Sequence, residues 1–225
     1  MNTKQRRTLN RPTRILIVDD HPMMRRGLVA EISAEPDLEV CGQAEDVNDA
    51  IAKIEEMNPD LATIDISLKE GHGIDLVKEI KSRFPNVKML VLSNYQESLY
   101  AERSLRAGAL GYLNKQETGE KIFDAIRTVL TGERYISDEM TKRLVSQAVG
   151  ATDATNASPV ETLSDRELEV FRLIGDGLTT AVIARRLHLS PNTVDTHREN
   201  IKRKLNLRNA TEVQREATQW ILENG

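Results

Sequence analysis

Ile15-Leu16-Ile17-Val18-Asp19-Asp20 is an apolar run ending in two carboxylates, and Leu61-Ala62-Thr63-Ile64-Asp65 repeats the pattern with one. A third run, Ala109-Leu110-Gly111-Tyr112-Leu113, is followed by Lys115. Asp is depleted from strands, so carboxylates at the ends of strand-like runs serve something other than strand formation. In open α/β folds, ligands bind in the crevice at the carboxyl ends of parallel strands. Three carboxylates gathered there repel one another unless a cation neutralises them. All-oxygen donors suit a hard cation such as Mg²⁺. The lysine then offers a point charge to an anion, most simply a phosphoryl group.

Working outward, residues 14–130 alternate short apolar runs with longer amphipathic stretches. The pattern predicts strands at 14–19, 38–44, 61–65, 87–93 and 109–113. It predicts helices at 22–34, 47–57, 73–84, 97–107 and 119–131. Pro36, Pro59, Pro85, Gly108 and Gly132 punctuate the boundaries. Five strands alternating with five helices give a five-stranded parallel, doubly wound sheet. A further helix is predicted at 137–149. Residues 150–160 have the small, polar composition of a flexible linker.

The chain has 225 residues, a net charge of -4 and 39% hydrophobic residues, ordinary for a soluble protein. Its lone cysteine, Cys41, cannot form an internal disulfide, which points to a reducing, cytoplasmic setting with the thiol packed inside. No apolar run approaches the ~20 residues that a membrane helix needs. The basic residues near the N-terminus (Lys4, Arg6, Arg7, Arg11) precede no signal-length apolar stretch, and that tail reads as disordered. Charge is uneven. Residues 15–145 carry 16 basic and 24 acidic residues, whereas 185–208 carry seven basic and two acidic. A locally basic segment behind an acidic front half hints at a second part with an anionic partner.

After the linker everything reads as helix. Ser164 with Glu167 three residues on is a capping box, and further helices follow near 179–187, 191–206 and 210–223. Ser190 is the N-cap of the 191–206 helix, with Pro191 in its first turn. Ile183, Leu187 and Leu189, then Val194, Ile201 and Leu205, form apolar faces. Asn192, Asp195, Thr196, Glu199, Lys202 and Arg203 lie on the polar face of the second helix. Two short helices with a tight turn describe a helix-turn-helix reading a major groove. Thr179, Thr193 and those polar residues then face DNA. Arg185, Arg186, Arg198, Lys204 and Arg208 supply phosphate contacts, and Asp195 and Glu199 can accept from a cytosine amino group. The bland alternative is a solvated face with Glu199 and Arg203 as an i,i+4 pair.

Four segments together resemble the receiver domain of bacterial two-component response regulators: residues 15–22 (Ile-Leu-Ile-Val-Asp-Asp-His-Pro), 59–67 (Pro-Asp-Leu-Ala-Thr-Ile-Asp-Ile-Ser), 91–93 (Val-Leu-Ser) and 108–115 (Gly-Ala-Leu-Gly-Tyr-Leu-Asn-Lys). Leu-Ser-Asp-Arg-Glu (163–167), Ile-Ala-Arg-Arg-Leu (183–187), Ser-Pro-Asn-Thr-Val (190–194) and residues 197–205 resemble the LuxR-type helix-turn-helix. The combination is similar to the NarL/FixJ family. It implies a disordered basic tail (1–13), a flavodoxin-like receiver (14–132), a linker helix and flexible linker (133–160), and an all-α four-helix DNA-binding domain (161–225).

That resemblance implies roles. Asp65 is the phosphoacceptor for a sensor histidine kinase. Asp20, Asp65 and the Ser67 backbone carbonyl hold Mg²⁺, and Asp19 holds a metal-bound water. Lys115 and Ser93 bind the phosphoryl group, and Tyr112 rotates inward as Ser93 shifts. The last helix, around Val213, Ala217, Trp220 and Ile221, dimerises the phosphorylated protein, although Trp220 equally suits a core anchor. Promoter DNA and RNA polymerase are the downstream partners. Two departures stand out: Lys69 replaces a common proline, which predicts a looser loop 66–73, and Asn94 replaces a small residue. His21 is read as starting a helix rather than binding metal. The resemblance implies a regulator and no enzyme. Two alternatives remain open at this level. One is a DNA-binding regulator whose receiver only docks. The other is a Mg²⁺-dependent phosphohydrolase, disfavoured because Ser67 stands where such enzymes need a second Asp.

Overall fold

The computed structural model describes residues 11–117, 119–148 and 158–224. Most of the expected basic tail and most of the flexible linker lie outside them. At the tail's boundary Thr13 already belongs to the first strand, and Arg11 pairs with Asp60 at 2.9 Å. The chain divides into two compact units, one holding residues up to Asn94 with Ser104–Ile136, the other Tyr95–Arg103 with the residues from Ser137 on.

The first unit is a five-stranded sheet of β1 (Thr13–Val18), β2 (Leu38–Ala44), β3 (Leu61–Ile64), β4 (Lys88–Ser93) and β5 (Gly111–Asn114). Its order is β2-β1-β3-β4-β5, and every pairing is parallel. Ile15, Leu16, Ile17 and Val18 are all buried, as a strand covered on both faces requires. On one face Ile15, Ile17, Leu61, Leu90, Leu92 and Leu113 pack with Leu28 and Ile32 of α1 (Pro22–Ser33). Ile122, Ala125, Ile126 and Val129 of α5 (Glu120–Thr131) complete that layer. The buried stripes of α2 (Val47–Met57) and α3 (Gly73–Arg83) recur at helical spacing, as Ala50, Ile51 and Ile54, and as Ile74, Val77 and Ile80. α4 spans Glu97–Ala107.

The observed elements fall within about two residues of the predicted ones, and the departures have local causes. Cys41 is the extra residue where the β1–β2 register shifts, between Ile15↔Val40 and Leu16↔Gly42. It is therefore half-exposed rather than packed inside. Loop 66–73, expected to be looser for want of proline, is bonded to its neighbours. Lys69 N–H donates to the Glu45 carbonyl, Val47 N–H donates to the Glu70 carbonyl, and Lys69 Nζ pairs with Glu45 at 2.5 Å. Ser67 and His72 also form an isolated bridge. Lys69 thus pairs with Glu45 at the position where many receivers have proline.

The second unit contains α6 (Asp138–Ala148), α7 (Asp165–Gly175), α8 (Thr180–Arg186), α9 (Pro191–Lys204) and α10 (Ala210–Asn224). The Ser164–Glu167 capping box is formed in both directions. Phe171, Ile174, Ile183, Val194, Ile201, Val213 and Ala217 fill its core. The residues expected to dimerise lie partly in this core. Val213, Ala217 and Trp220 are buried, and Trp220 stacks on Phe171 with ring centroids 6.0 Å apart. Ile221 is half-buried against Gly175, where an added Cβ would fall 2.5 Å from Ile221 Cδ1 and 2.6 Å from the Ala217 carbonyl. Solvent meets Arg215, Glu216, Thr218, Gln219 and Leu222 instead.

Candidate phosphoacceptor site and nucleic-acid interface

The acidic site follows from register. Val18 pairs with Ile64, so the next residues, Asp19 and Asp65, leave adjacent strands side by side at the carboxyl edge. Asp65 N–H donates to the Val18 carbonyl at 2.8 Å and Asp19 N–H to the Ala44 carbonyl at 3.0 Å, which fixes both backbones. β1 and β3 flank the point where strand order reverses, the usual ligand crevice of a doubly wound sheet. Gly73, opening α3, brings its helix against this edge. An added Cβ there would lie 2.1 Å from the Asp65 carbonyl oxygen.

Lys115, just beyond β5, reaches across the edge. Its Nζ lies 2.6 Å from Asp65 Oδ2 and 2.6 Å from Asp19 Oδ2. The three side chains are each no more than 4% exposed. Burial pushes the Asp65 carboxyl from 3.8 up to about 6, against the pull of Lys115 and with added repulsion from Asp19 and Asp20. Lys115 moves up as well. Burial alone would lower it, but Asp65 and Asp19 outweigh that. Asp20 is the solvent-side carboxylate, and its Oδ1 is buried without a hydrogen-bond partner. Ser93 ends β4 and is buried beside this edge. Tyr112 in β5 is buried, 1% exposed. Ser67 follows Asp65 by two residues, in the tethered loop.

One donor atom from each of Asp19, Asp20, His21 and Asp65 lies within 4.8 Å of the others. Carboxylates this close, one strongly raised, are a donor set that a hard dication fits. His21 starts α1 as expected, at its N-cap, and its imidazole bonds Asp19 Oδ1 at 3.3 Å rather than capping the helix.

The candidate nucleic-acid interface is α8, a turn and α9. Leu189 N–H donates to the Ala184 carbonyl and His188 takes a left-handed φ of 52°, which reverses the chain in a short turn. Arg166 donates to the Leu187 carbonyl at 2.9 Å and braces that turn from α7. Ser190 caps α9 by accepting from Thr193 N–H. Asn192, Asp195, Thr196, Glu199 and Arg203 are exposed, while Thr193, Arg198 and Lys202 are half-buried. Thr179 caps α8 by position and is exposed, as is Arg185. Glu199 pairs with Lys202 rather than with Arg203, whose guanidinium bonds Asn200 at 3.0 Å. Asp195 accepts from the Thr180 hydroxyl at 3.3 Å. Lys204 is not free for phosphate. Its Nζ lies 2.6 Å from Glu167 Oε2 and 3.1 Å from the Thr162 carbonyl. Burial would raise Glu167, but Lys204 and the Ser164 N–H hold it below the usual range.

No helix among the described residues is long and apolar enough to cross a membrane. Residues 15–127 match the response regulator receiver domain family, and residues 161–217 match the bacterial regulatory proteins of the luxR family. The chain is 36% identical to the oxygen regulatory protein NreC of Staphylococcus carnosus, over 89% of this chain and 94% of that protein. It is 31% identical to the transcriptional regulatory protein DegU of Brevibacillus brevis, over 88% and 89% of the two chains. The RcsB response regulator of Salmonella typhimurium shares the fold, with a TM-score of 0.70, 24% identity, and coverage of 93% of this chain and 98% of that one.

Proposed function

Because this chain belongs to the two-component response regulators that join a receiver to a LuxR-type helix-turn-helix, the NarL/FixJ family, we propose that Asp65 accepts its phosphoryl group and that this switches DNA binding. The observation carrying the proposal is the buried trio of Asp65, Lys115 and Asp19 at a sheet edge also lined by Ser93. The family implies a histidine kinase and promoter DNA as partners, and a transcription regulator rather than an enzyme.

An Asp65 carboxylate oxygen attacks the phosphorus of a kinase phosphohistidine. The P–N bond breaks, an acyl phosphate forms, and the imidazole leaves. Lys115 Nζ, already 2.6 Å from Asp65, stays beside the phosphoryl oxygens as a fixed positive charge. The Ser93 hydroxyl donates to the same group and draws the β4 end inward. Asp19, Asp20, Asp65 and the Ser67 carbonyl would hold Mg²⁺. When bound, the ion offsets the charge on the transferring group and favours the ionised form of Asp65. The buried Asp20 Oδ1 without a hydrogen bond and the raised Asp65 carboxyl support that fit.

Phosphorylation shifts a pre-existing equilibrium of the receiver, with Ser93 and Tyr112 as its transmitting residues. In the second unit, Asn192, Thr193, Asp195, Thr196 and Glu199 would meet base edges and Lys202 and Arg203 the groove, with Thr179, Arg185 and Arg198 on the backbone. A phosphorylated homodimer would read half-sites about one DNA turn apart and recruit RNA polymerase. The test is acetyl phosphate with Mg²⁺, followed by intact mass. We expect a hydroxylamine-labile phosphoryl adduct on the native chain and none on Asp65→Asn. An adduct surviving that substitution would reject the assignment.

A further inference from the structure

Helix α4 is divided between the two compact units: Tyr95–Arg103 groups with α7 and α10, and Ser104 onward with the sheet. Within the second unit two arginines fasten that first part, and they do so differently. Arg103 is fixed by hydrogen bonds. Its guanidinium donates to Asp165 Oδ1 at 2.9 Å, to the Leu163 carbonyl at 2.7 Å and to the Glu161 carbonyl at 3.1 Å, and only 16% of its side chain is exposed. Arg172 of α7 is held by rings. Its guanidinium carbon lies 3.7 Å from the centre of the Tyr95 ring and 5.8 Å from that of Trp220. Tyr95 packs in turn on Tyr100, with ring centroids 4.8 Å apart. No carboxylate among the described residues pairs with Arg172. An arginine with three hydrogen bonds is locked in one geometry, whereas the attraction of a guanidinium to ring faces varies with the distance and tilt of the rings. Tyr95 also follows Ser93, the last residue of β4, by two positions, at most about 7 Å of chain.

We infer that the contact of Arg172 with Tyr95 and Trp220 conveys the state of Asp65 to the DNA-binding helices. The inference rests on the proposed reading of Asp65 as phosphoacceptor and of Ser93 as a donor to its phosphoryl group. As Ser93 is drawn to that group, Asn94 and Tyr95 follow it. Arg103 keeps the far end of the segment on Asp165, so the displacement falls on the Tyr95 ring. The ring face then shifts on Arg172, and the guanidinium, with no carboxylate to hold it, resettles against Trp220 of α10. Trp220 lies on Phe171 of α7, and α7 is bonded to α9 through Glu167 and Lys204. Arg172 is thus a positioning residue, which touches neither the phosphoryl group nor DNA.

Trp220 is the only tryptophan in the chain, so its fluorescence reads this contact directly. The experiment treats the full chain with acetyl phosphate and Mg²⁺, measures modification by intact mass, and follows Trp220 emission and its quenching by acrylamide in the same samples. We expect the emission of the native chain to change in proportion to modification. Tyr95→Phe keeps the ring face and should keep the change. Tyr95→Leu and Arg172→Met should cut it by at least about threefold at equal modification. If Arg172→Met fails to fold, the comparison of Tyr95→Leu with Tyr95→Phe decides alone. Modification of the native chain without a change at Trp220 overturns the inference and leaves the phosphoacceptor reading intact. A full change in Tyr95→Leu also overturns it, as does its loss in Tyr95→Phe, because the ring face would then not be the contact that matters. Absence of any adduct on the native chain overturns the phosphoacceptor reading and the inference with it.

Discussion

Lys115 Nζ lies 2.6 Å from Asp65 Oδ2, with both side chains 4% exposed. The two residues are fifty positions apart and come from the ends of β3 and β5, so their meeting is made by the sheet. The pair sets the reactivity of the site. Burial makes the Asp65 carboxylate costly, and the lysine partly offsets that cost while presenting the charge a phosphoryl group needs.

Lys115→Met should slow acetyl phosphate modification of Asp65 by at least about tenfold, because a fixed charge at a transferring phosphoryl group contributes several kcal/mol. Asp65 would also remain buried without its cation, so the receiver should lose stability above neutral pH. Rates by mass spectrometry within twofold of the native chain would contradict the role given to Lys115.

The raised Asp65 carboxyl fixes the sign of a pH effect. Its native value is about 6 against 3.8, so the native receiver holds a proton that the unfolded chain has released. The stability this contributes is full below 3.8 and is lost as pH rises through 6. Asp65→Asn removes the dependence. Its stability advantage over the native chain should therefore grow by about 1–3 kcal/mol between pH 4 and pH 7. Hydrogen exchange of the β1 and β3 amides measures this, and an advantage that stays constant with pH would refute it.

Gly73→Ala should be costly although the residue opens a helix. The added Cβ meets the Asp65 carbonyl oxygen at 2.1 Å, and backbone cannot yield as a side-chain tip can. We expect about 1–3 kcal/mol of destabilisation and slower phosphorylation, as α3 is pushed off the site. Urea unfolding unchanged from the native chain would show that α3 moves freely.

Lys204→Met should weaken the DNA-binding unit rather than DNA contacts alone. Glu167 is buried, serves the Ser164 capping box and relies on Lys204. Because Glu167 is held below its usual range, its stabilisation is present above 4.5 and is lost as pH falls. The destabilisation of Lys204→Met should accordingly shrink toward acid pH. Thermal unfolding followed through Trp220 fluorescence reads this unit, and a deficit independent of pH would argue against the pair.

Arg203 and Lys202 differ in what they have free. Arg203→Ala should weaken promoter binding and reduce the salt slope by about one. Lys202 is neutralised by Glu199, so Glu199→Gln should tighten nonspecific DNA binding and steepen its salt slope while relaxing the base preference of promoter binding. Filter binding across a salt series, on promoter and on unrelated DNA, measures both. An unchanged slope on unrelated DNA would argue against the neutralisation of Lys202.

The amino-acid sequence by itself determined which runs are strands, where they stop, and that Asp19, Asp20, Asp65 and Lys115 sit at their ends. An apolar run closed by charge reports both facts locally. The Ser164–Glu167 capping box and the Ser190-Pro191 helix start were equally local, because caps are written within four residues. Only the tertiary structure decided the rest. The β2-β1-β3 order makes Asp19 and Asp65 neighbours, and burial at that junction raises Asp65. Helical spacing put Val213, Ala217 and Trp220 on one face of α10, but a shared face does not say what covers it, and α7 does. Lys204 was misjudged for the same reason. A side chain's partners across the fold are fixed by packing between distant segments, and no local pattern encodes whether a cation meets phosphate or Glu167.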